Sequence, residues 1–420
     1  MKPPFPLREA HAHVLWHGRA LSMLDLSGCG SMRECLDLVA GRAGGTAREG
    51  AWVVAHGARV EAWAERRWPT RGELDAVAGG RACCLMSFDH HAAVANTAAL
   101  SAAGLLAGPG PNGGVIARDR AGEPTGVLLE TAAHAAWGAA PPATAAEERG
   151  FAEAALADFA RLGFVEVHDL LSPPALGPML ADMDRAGRLP VAVRLFAPVA
   201  EGEAATAAAA EWGRERVSLA GLKLFADGTL NSRTAWMLHP YADPMPGMET
   251  GKVVAGPAEI EAAVAKAEGL GLPLATHAIG DGAVRAVLDA IERRGGGRGR
   301  RGAIRHRVEH LEVVDEADVS RFAELGVVAS VQPCHLLPDI DVLRRSLPHR
   351  LDRVLPLREL LDAGLVPGET LIFGSDAPIV RPDPGDSVRA AIDRGRGDGV
   401  TIGEGQALTE AEAWAGFALG

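Results

Sequence analysis

Residues 257–278 read PAEIEAAVAKAEGLGLPLATHA, and the way this stretch divides sets the parsing of the whole chain. The alanine- and glutamate-rich run Pro257 to Leu270 has helical character and meets Gly271 where a helix stop is expected. The apolar run Leu272 to Ala278 follows at once, has the length of a buried strand, and carries His277 at its end. The same rhythm recurs in Phe164 to Leu170 (FVEVHDL), Val191 to Ala197 (VAVRLFA), Leu219 to Ala226 (LAGLKLFA), Arg305 to Leu311 (RHRVEHL), Val327 to Gln332 (VVASVQ) and Leu371 to Ser375 (LIFGS). Between two of them, Glu316 to Leu325 reads as a helix ending at Gly326. Repeated strand–helix units imply a parallel sheet, and one more strand before His11 would close a (β/α)8 TIM barrel, an α/β fold.

Two stretches break the rhythm. Residues 41–149 hold the strand-like runs AWVVAHGAR (51–59) and ACCLMSFD (82–89), then the turn GPGPNGG (108–114) and a Pro-Pro at 141–142. They are read as a large insertion after the first barrel strand, a lid subdomain, with 1–40 and 150–420 forming the barrel. The segment RRGGGRGRRG (293–302) has the look of an RNA-binding tract, but a solvated loop at the bottom of the barrel suits the acidic whole better.

Composition narrows the function. The chain has 420 residues, 48% hydrophobic and 23% charged, with 42 basic against 54 acidic side chains and a net charge of −12. A large core is easily supplied, and disorder and nucleic-acid binding are disfavoured. The five cysteines are scattered without a C-x-x-C pair, which suits reduced thiols. The first residues, MKPPFPLREAHAHVL, lack an apolar signal core, and no run has the ~18 apolar residues of a membrane helix, so a cytoplasmic location is expected. Lysine is scarce at four residues (Lys2, Lys223, Lys252 and Lys266), whereas histidine reaches 14.

In an extended segment His11 and His13 point to the same side, so both imidazoles can reach one metal ion; an exposed N-terminal pair is the plain alternative. His277, His310 and Asp376 fall at strand ends, and Lys223 lies in the strand LAGLKLF. Carboxyl ends of barrel strands converge on one mouth, so these six residues form a metal-site constellation. A lysine in an apolar strand is costly to bury as an ammonium. As a neutral amine it can take up carbon dioxide and become a carbamate, an anionic oxygen ligand; a salt bridge to Asp227 is the other reading.

These segments resemble the metal-dependent amidohydrolase superfamily, in particular the family-3 branch that includes the N-substituted formamide deformylases. Its first barrel strand ends in D-A-H-x-H, matched by Glu9 to His13 with Glu9 in place of the aspartate. K-L-F-x-D-G-S/T is matched by Lys223 to Thr229, S-R-T by Ser232 to Thr234, H-A-I-G-D by His277 to Asp281, R-H-R-I-E-H by Arg305 to His310 and G-S-D-A-P by Gly374 to Pro378. In the insertion, Pro69 to Val77 and Gly126 to Glu130 also match, and Asp89 and His91 fit D-G-H-A-A with His90 replacing the glycine.

The resemblance implies a metal shell of His11, His13, Lys223 (carboxylated), His277, His310 and Asp376, holding one or two divalent ions with zinc the expected element. It implies hydrolysis of a non-peptide C–N bond, in an amide or N-formyl or N-acyl amine, by a metal-bound hydroxide with Asp376 as general base and then acid. His335, Arg233, His91 and Glu130 are the expected substrate contacts, with structural hydrogen bonding the other reading for His335 and Arg233. The expected partner is a small-molecule substrate, with no nucleic acid and no membrane, and a homodimer is the oligomeric state to test. Relatives flank the barrel with β-sandwich segments that this chain is expected to lack; Pro3-Pro4-Phe5-Pro6 stands in the lead-in and removes three backbone donors. A deaminase, an ester or lactone hydrolase, or a non-catalytic barrel that only binds a ligand are the alternatives.

Overall fold

The computed structural model describes residues 5–45, 50–60, 63–87, 92–111, 113–245, 247–295 and 304–419. The chain divides into two compact units, Met1–His17 with Ala152–Gly420, and Gly18–Phe151.

The first unit is a barrel of eight strands: β1 (Leu7–Ala12), β2 (Phe164–Leu170), β3 (Ala192–Pro198), β4 (Val217–Phe225), β5 (Leu274–Ala278), β6 (Arg307–His310), β7 (Val328–Val331) and β8 (Leu371–Phe373). Each pairs in parallel with the next. The expected (β/α)8 barrel is present, and its last seam is nearly closed: the Asp376 N–H donates to the His11 carbonyl at 2.7 Å and the His13 N–H to the Ala377 carbonyl at 2.8 Å.

Local chemistry explains where the elements begin and stop. β1 starts at Leu7, immediately after Pro6, whose ring has no N–H for a ladder. β5 starts at Leu274 rather than Leu272 because Pro273 interrupts the donors, although its carbonyl still accepts from Leu222 at 2.9 Å. β8 ends at Phe373, two residues short of the apolar run, because the backbone turns toward β1. At Gly374 a Cβ would lie 2.5 Å from the His11 nitrogen, so only glycine permits this approach. Helix Pro257–Gly269 has Pro257 in its first turn and Glu259 accepting from the Gly256 N–H, and helix Glu316–Leu325 stops at a left-handed Gly326.

Most apolar side chains of this unit lie in one large core between the strands and their helices. Residues two apart share a face of a strand, so Glu166, His168 and Leu170, or Arg307 and Glu309, point the same way. Two small apolar clusters, Ala10 with Val328 and Ile372, and Leu170 with Phe196 and Ala275, are separate from the large core. Glu166 and His168 of β2 and Arg307 and Glu309 of β6 lie on this inner face too.

The second unit has a six-stranded sheet ordered Leu24–Asp25, Val53–Ala58, Cys83–Ser87, Ala92–Ala95, Pro124–Glu130, Gly114–Arg118. The first two pairings are parallel and the other three antiparallel. All five cysteines are free and buried. Among the described residues no helix is long and apolar enough to cross a membrane. Within the arginine–glycine tract, 296–302 lie outside the described residues.

Candidate metal centre

The carboxyl ends of β1, β4, β5, β6 and β8 bring the six expected ligand residues into one neighbourhood. His11 Nε2 and His13 Nε2 lie 3.3 and 3.0 Å from Asp376 Oδ1. One ligand-type atom from each of these three side chains falls within 4.8 Å of the others. The His310 ring centroid is 4.8 Å from that of His11 and 4.4 Å from that of His277. Lys223 projects from β4 beside Phe225, its Nζ 5.0 Å from the ring centroid. Two of these residues, His310 and Asp376, have positive φ, 78° and 60°, a conformation that costs roughly 1–3 kcal/mol each and collects at functional sites.

Burial governs the charge states. It lowers the pKa of His11 to about 4, that of His277 to about 3 and that of His310 well below the usual value, with the nearby Lys223 charge pushing the same way. The imidazoles are therefore neutral at physiological pH, the form that binds a cation. Burial also draws Lys223 down to about 8, against the pull of Glu309 and Asp376. For Asp376 burial alone would raise the pKa, but the adjacent His11 and His13 imidazoles outweigh it and hold the carboxyl well below its ordinary range.

Lys223 Nζ and His310 Nδ1 are buried and have no hydrogen-bond partner. A salt bridge from Lys223 to Asp227 does not form. Asp227 instead accepts the N–H groups of Ile279 (3.1 Å), Gly280 (2.8 Å) and Trp236 (2.9 Å), and Oδ1 lies 3.6 Å from His277 Nε2.

The expected substrate contacts are placed differently from one another. His335 follows β7, with Nδ1 3.3 Å from Glu312 Oε1 and Nε2 3.2 Å from the Ser375 carbonyl. Both neighbours are acceptors, so both ring nitrogens donate. Burial would lower the pKa of His335, but Glu312 and Asp376 override this and raise it to about 9. Arg233 is tied to Asp243 (Nη2 to Oδ2, 2.6 Å) and to the Asn231 carbonyl (2.6 Å), while Asn231 donates to Asp339 at 2.8 Å. Glu130 ends the strand Pro124–Glu130 of the second unit and is exposed. His91, like Asp89 and His90, lies outside the described residues.

Some neighbours of the centre carried no functional reading in the sequence. Arg307 stands inside the barrel, and Glu312 is buried against His335. Trp16, 57% exposed, has its ring centroid 5.3 Å from that of His13. The i, i+2 spacing of Arg307 and Glu309 in a parallel strand was the available signal, since two charges on one face of a barrel strand need partners inside it.

An eight-stranded parallel barrel with neutral imidazoles, a carboxylate and a buried lysine at its strand ends is an enzyme scaffold with a cation-ready mouth. The chain belongs to the amidohydrolase family, whose sequence model matches residues 6–416. The resemblance drawn from the motifs therefore holds over nearly the whole chain. Among curated relatives, the putative amidohydrolase YtcJ of Bacillus subtilis is 28% identical over 91% of this chain and 72% of its own length. The N-substituted formamide deformylase of Arthrobacter pascens is 27% identical over 87% and 68%. Among solved structures, an uncharacterized metal-dependent hydrolase from Pyrococcus horikoshii superposes with a TM-score of 0.77 at 27% identity, covering 97% of this chain and 78% of that one.

Proposed function

We propose that this hydrolase is metal-dependent and cleaves a non-peptide C–N bond in an amide, N-formyl or N-acyl amine, with His11, His13, Lys223, His277, His310 and Asp376 holding one or two divalent ions, zinc first among them. The observation that carries this reading is that buried polar atoms without hydrogen-bond partners, Lys223 Nζ and His310 Nδ1 among them, gather in a cluster of neutral imidazoles beside a carboxylate. Buried polar atoms without partners are rare, and a cation with a carbamate on Lys223 would satisfy both. Similarity to the metal-dependent hydrolase of Pyrococcus horikoshii and the formamide deformylase of Arthrobacter pascens supports the same reading.

A divalent ion bound here would polarise the substrate carbonyl and lower the pKa of water to about 7. The remaining work belongs to the chain. Asp376 holds the proton on a carboxylate oxygen and returns it to the leaving nitrogen, its position fixed by its own N–H bond to the His11 carbonyl. Asp227 fixes the turn after β5 and so the direction of His277. His335, cationic between Glu312 and Ser375, orients the backbone that leads into Asp376.

The test is metal content of the purified full chain together with turnover of a panel of N-formyl and N-acyl amines, for wild type and Asp376→Asn. Bound metal, activity on the panel and loss of turnover in the variant are expected. A protein without metal, or a variant as active as wild type, overturns the reading.

A further inference from the structure

Glu309 sits behind His11. Its Oε2 is 2.7 Å from His11 Nδ1, and the carboxylate is itself gripped by Arg307, with Nε 2.8 Å from Oε1 and Nη2 3.1 Å from Oε2. The same Nη2 donates to the Ala10 carbonyl at 2.8 Å and to Ser330 Oγ at 3.0 Å, and Nη1 lies 2.8 Å from His168 Nδ1. The guanidinium also faces the Phe196 ring, 4.9 Å from its centroid. Arg307 is therefore held from β1, β2, β3 and β7 as well as from its own strand, β6, and is 5% exposed.

Donor chemistry fixes the tautomers along this chain. Arginine has no acceptor, so His168 Nδ1 accepts from Arg307 and its Nε2–H donates to Glu166 Oε1 at 3.1 Å. Glu166 in turn accepts from Arg194 Nε at 2.8 Å. A carboxylate gripped by a guanidinium has only lone pairs to offer, so His11 Nδ1 carries the proton. His11 Nε2 is then left with its lone pair, on the side of Asp376. A lysine could neutralise Glu309 but could not hold both of its oxygens in one plane.

We propose that Arg307 is the positioning residue of the metal centre: by locking Glu309 it fixes His11 with Nδ1 protonated and Nε2 turned to the ion, and so sets how tightly the ion is held. This rests on the metal-centre reading above. Loss of a group that orients a metal-binding histidine commonly weakens metal affinity by about 10- to 100-fold.

The full-length chain is loaded with Zn²⁺ in bicarbonate buffer and titrated with a chromophoric chelator, for wild type, Arg307→Lys and Glu309→Gln; thermal melts and circular dichroism are followed in parallel. The expected result is a roughly 10- to 100-fold loss of zinc affinity in each variant that keeps its fold, with a changed visible spectrum of the Co²⁺-substituted protein. If Arg307→Lys yields no folded protein, the charge-balanced Arg307→Met/Glu309→Gln chain is titrated in its place. Variants that hold zinc as tightly as wild type, with an unchanged cobalt spectrum, overturn the proposal even if they melt earlier. A wild type that retains no zinc overturns the metal-centre reading instead.

Discussion

The Asp376 N–H donates to the His11 carbonyl at 2.7 Å, and the Asp376 carboxylate lies 3.3 Å from the His11 imidazole. One residue pair thus joins β8 to β1 and brings two expected ligands side by side. Barrel closure and assembly of the centre are the same structural event.

Gly374 is the residue that permits this approach. A methyl group there would meet the His11 nitrogen at 2.5 Å and Glu9 Oε1 at 2.6 Å, and the first of these is backbone that cannot swing aside. Gly374→Ala is expected to destabilise the chain by about 1–3 kcal/mol, the usual cost of forced overpacking, and to lower metal content with it. Urea unfolding and metal analysis of the same preparation check both effects. Unchanged stability would separate the seam from the site.

Asp376→Asn keeps the size and backbone of the residue while removing the proposed proton acceptor. Turnover is expected to fall by about 10²–10⁴, the range for loss of general acid–base catalysis. Because Asp376 is also a proposed metal ligand, metal content is measured in parallel and turnover is compared per bound ion. Single-turnover measurements on an N-formyl amine distinguish this from a binding defect, which would appear in KM.

Much of this arrangement could be read from the order of residues. The strand runs ending at His277 and His310, and the helix stops at Gly271 and Gly326, are local signals that chemistry imposes on any chain. The support beneath the centre was not legible in the same way. Arg307 meets its partners Ala10 and His168 across 297 and 139 positions, so only barrel closure brings them together. His335 stood at a strand end like a substrate contact, yet its two nitrogens face Glu312 and the Ser375 carbonyl, and Glu312 lies beyond the end of β6 where no periodicity marks it. Arg233, also an expected substrate contact, is folded onto Asp243 by the loop after β4.

That Arg233–Asp243 pair makes a pH prediction. The hydrogen bond from Arg233 lowers the pKa of Asp243 from 3.8 to about 2. A carboxyl depressed in the folded state contributes stability that is present above its unfolded pKa and is lost as pH falls through the folded one. The loop should therefore loosen between about pH 4 and pH 2, and Asp243→Asn should lose that dependence while being less stable at pH 7. Because the carboxylate is one-third exposed, the effect is modest and shrinks with added salt. Limited proteolysis of the segment 229–250 across this pH range reads it directly.

Trp16 offers the most direct test of what the barrel mouth accepts. It is 57% exposed although its ring lies 5.3 Å from that of His13, a residue on the open side of the centre. A large aromatic side chain left in water next to a reactive site loses apolar burial unless a ligand covers it. If the substrate's N-substituent packs on this ring, Trp16→Ala should raise KM for N-aryl and N-benzyl formamides by about tenfold, equivalent to ~1.4 kcal/mol, and leave KM for N-methylformamide nearly unchanged. The comparison within one variant removes any general effect on metal loading, which would lower turnover for every member of the series alike. Equal changes across the series would assign Trp16 to the support of His13 rather than to the substrate.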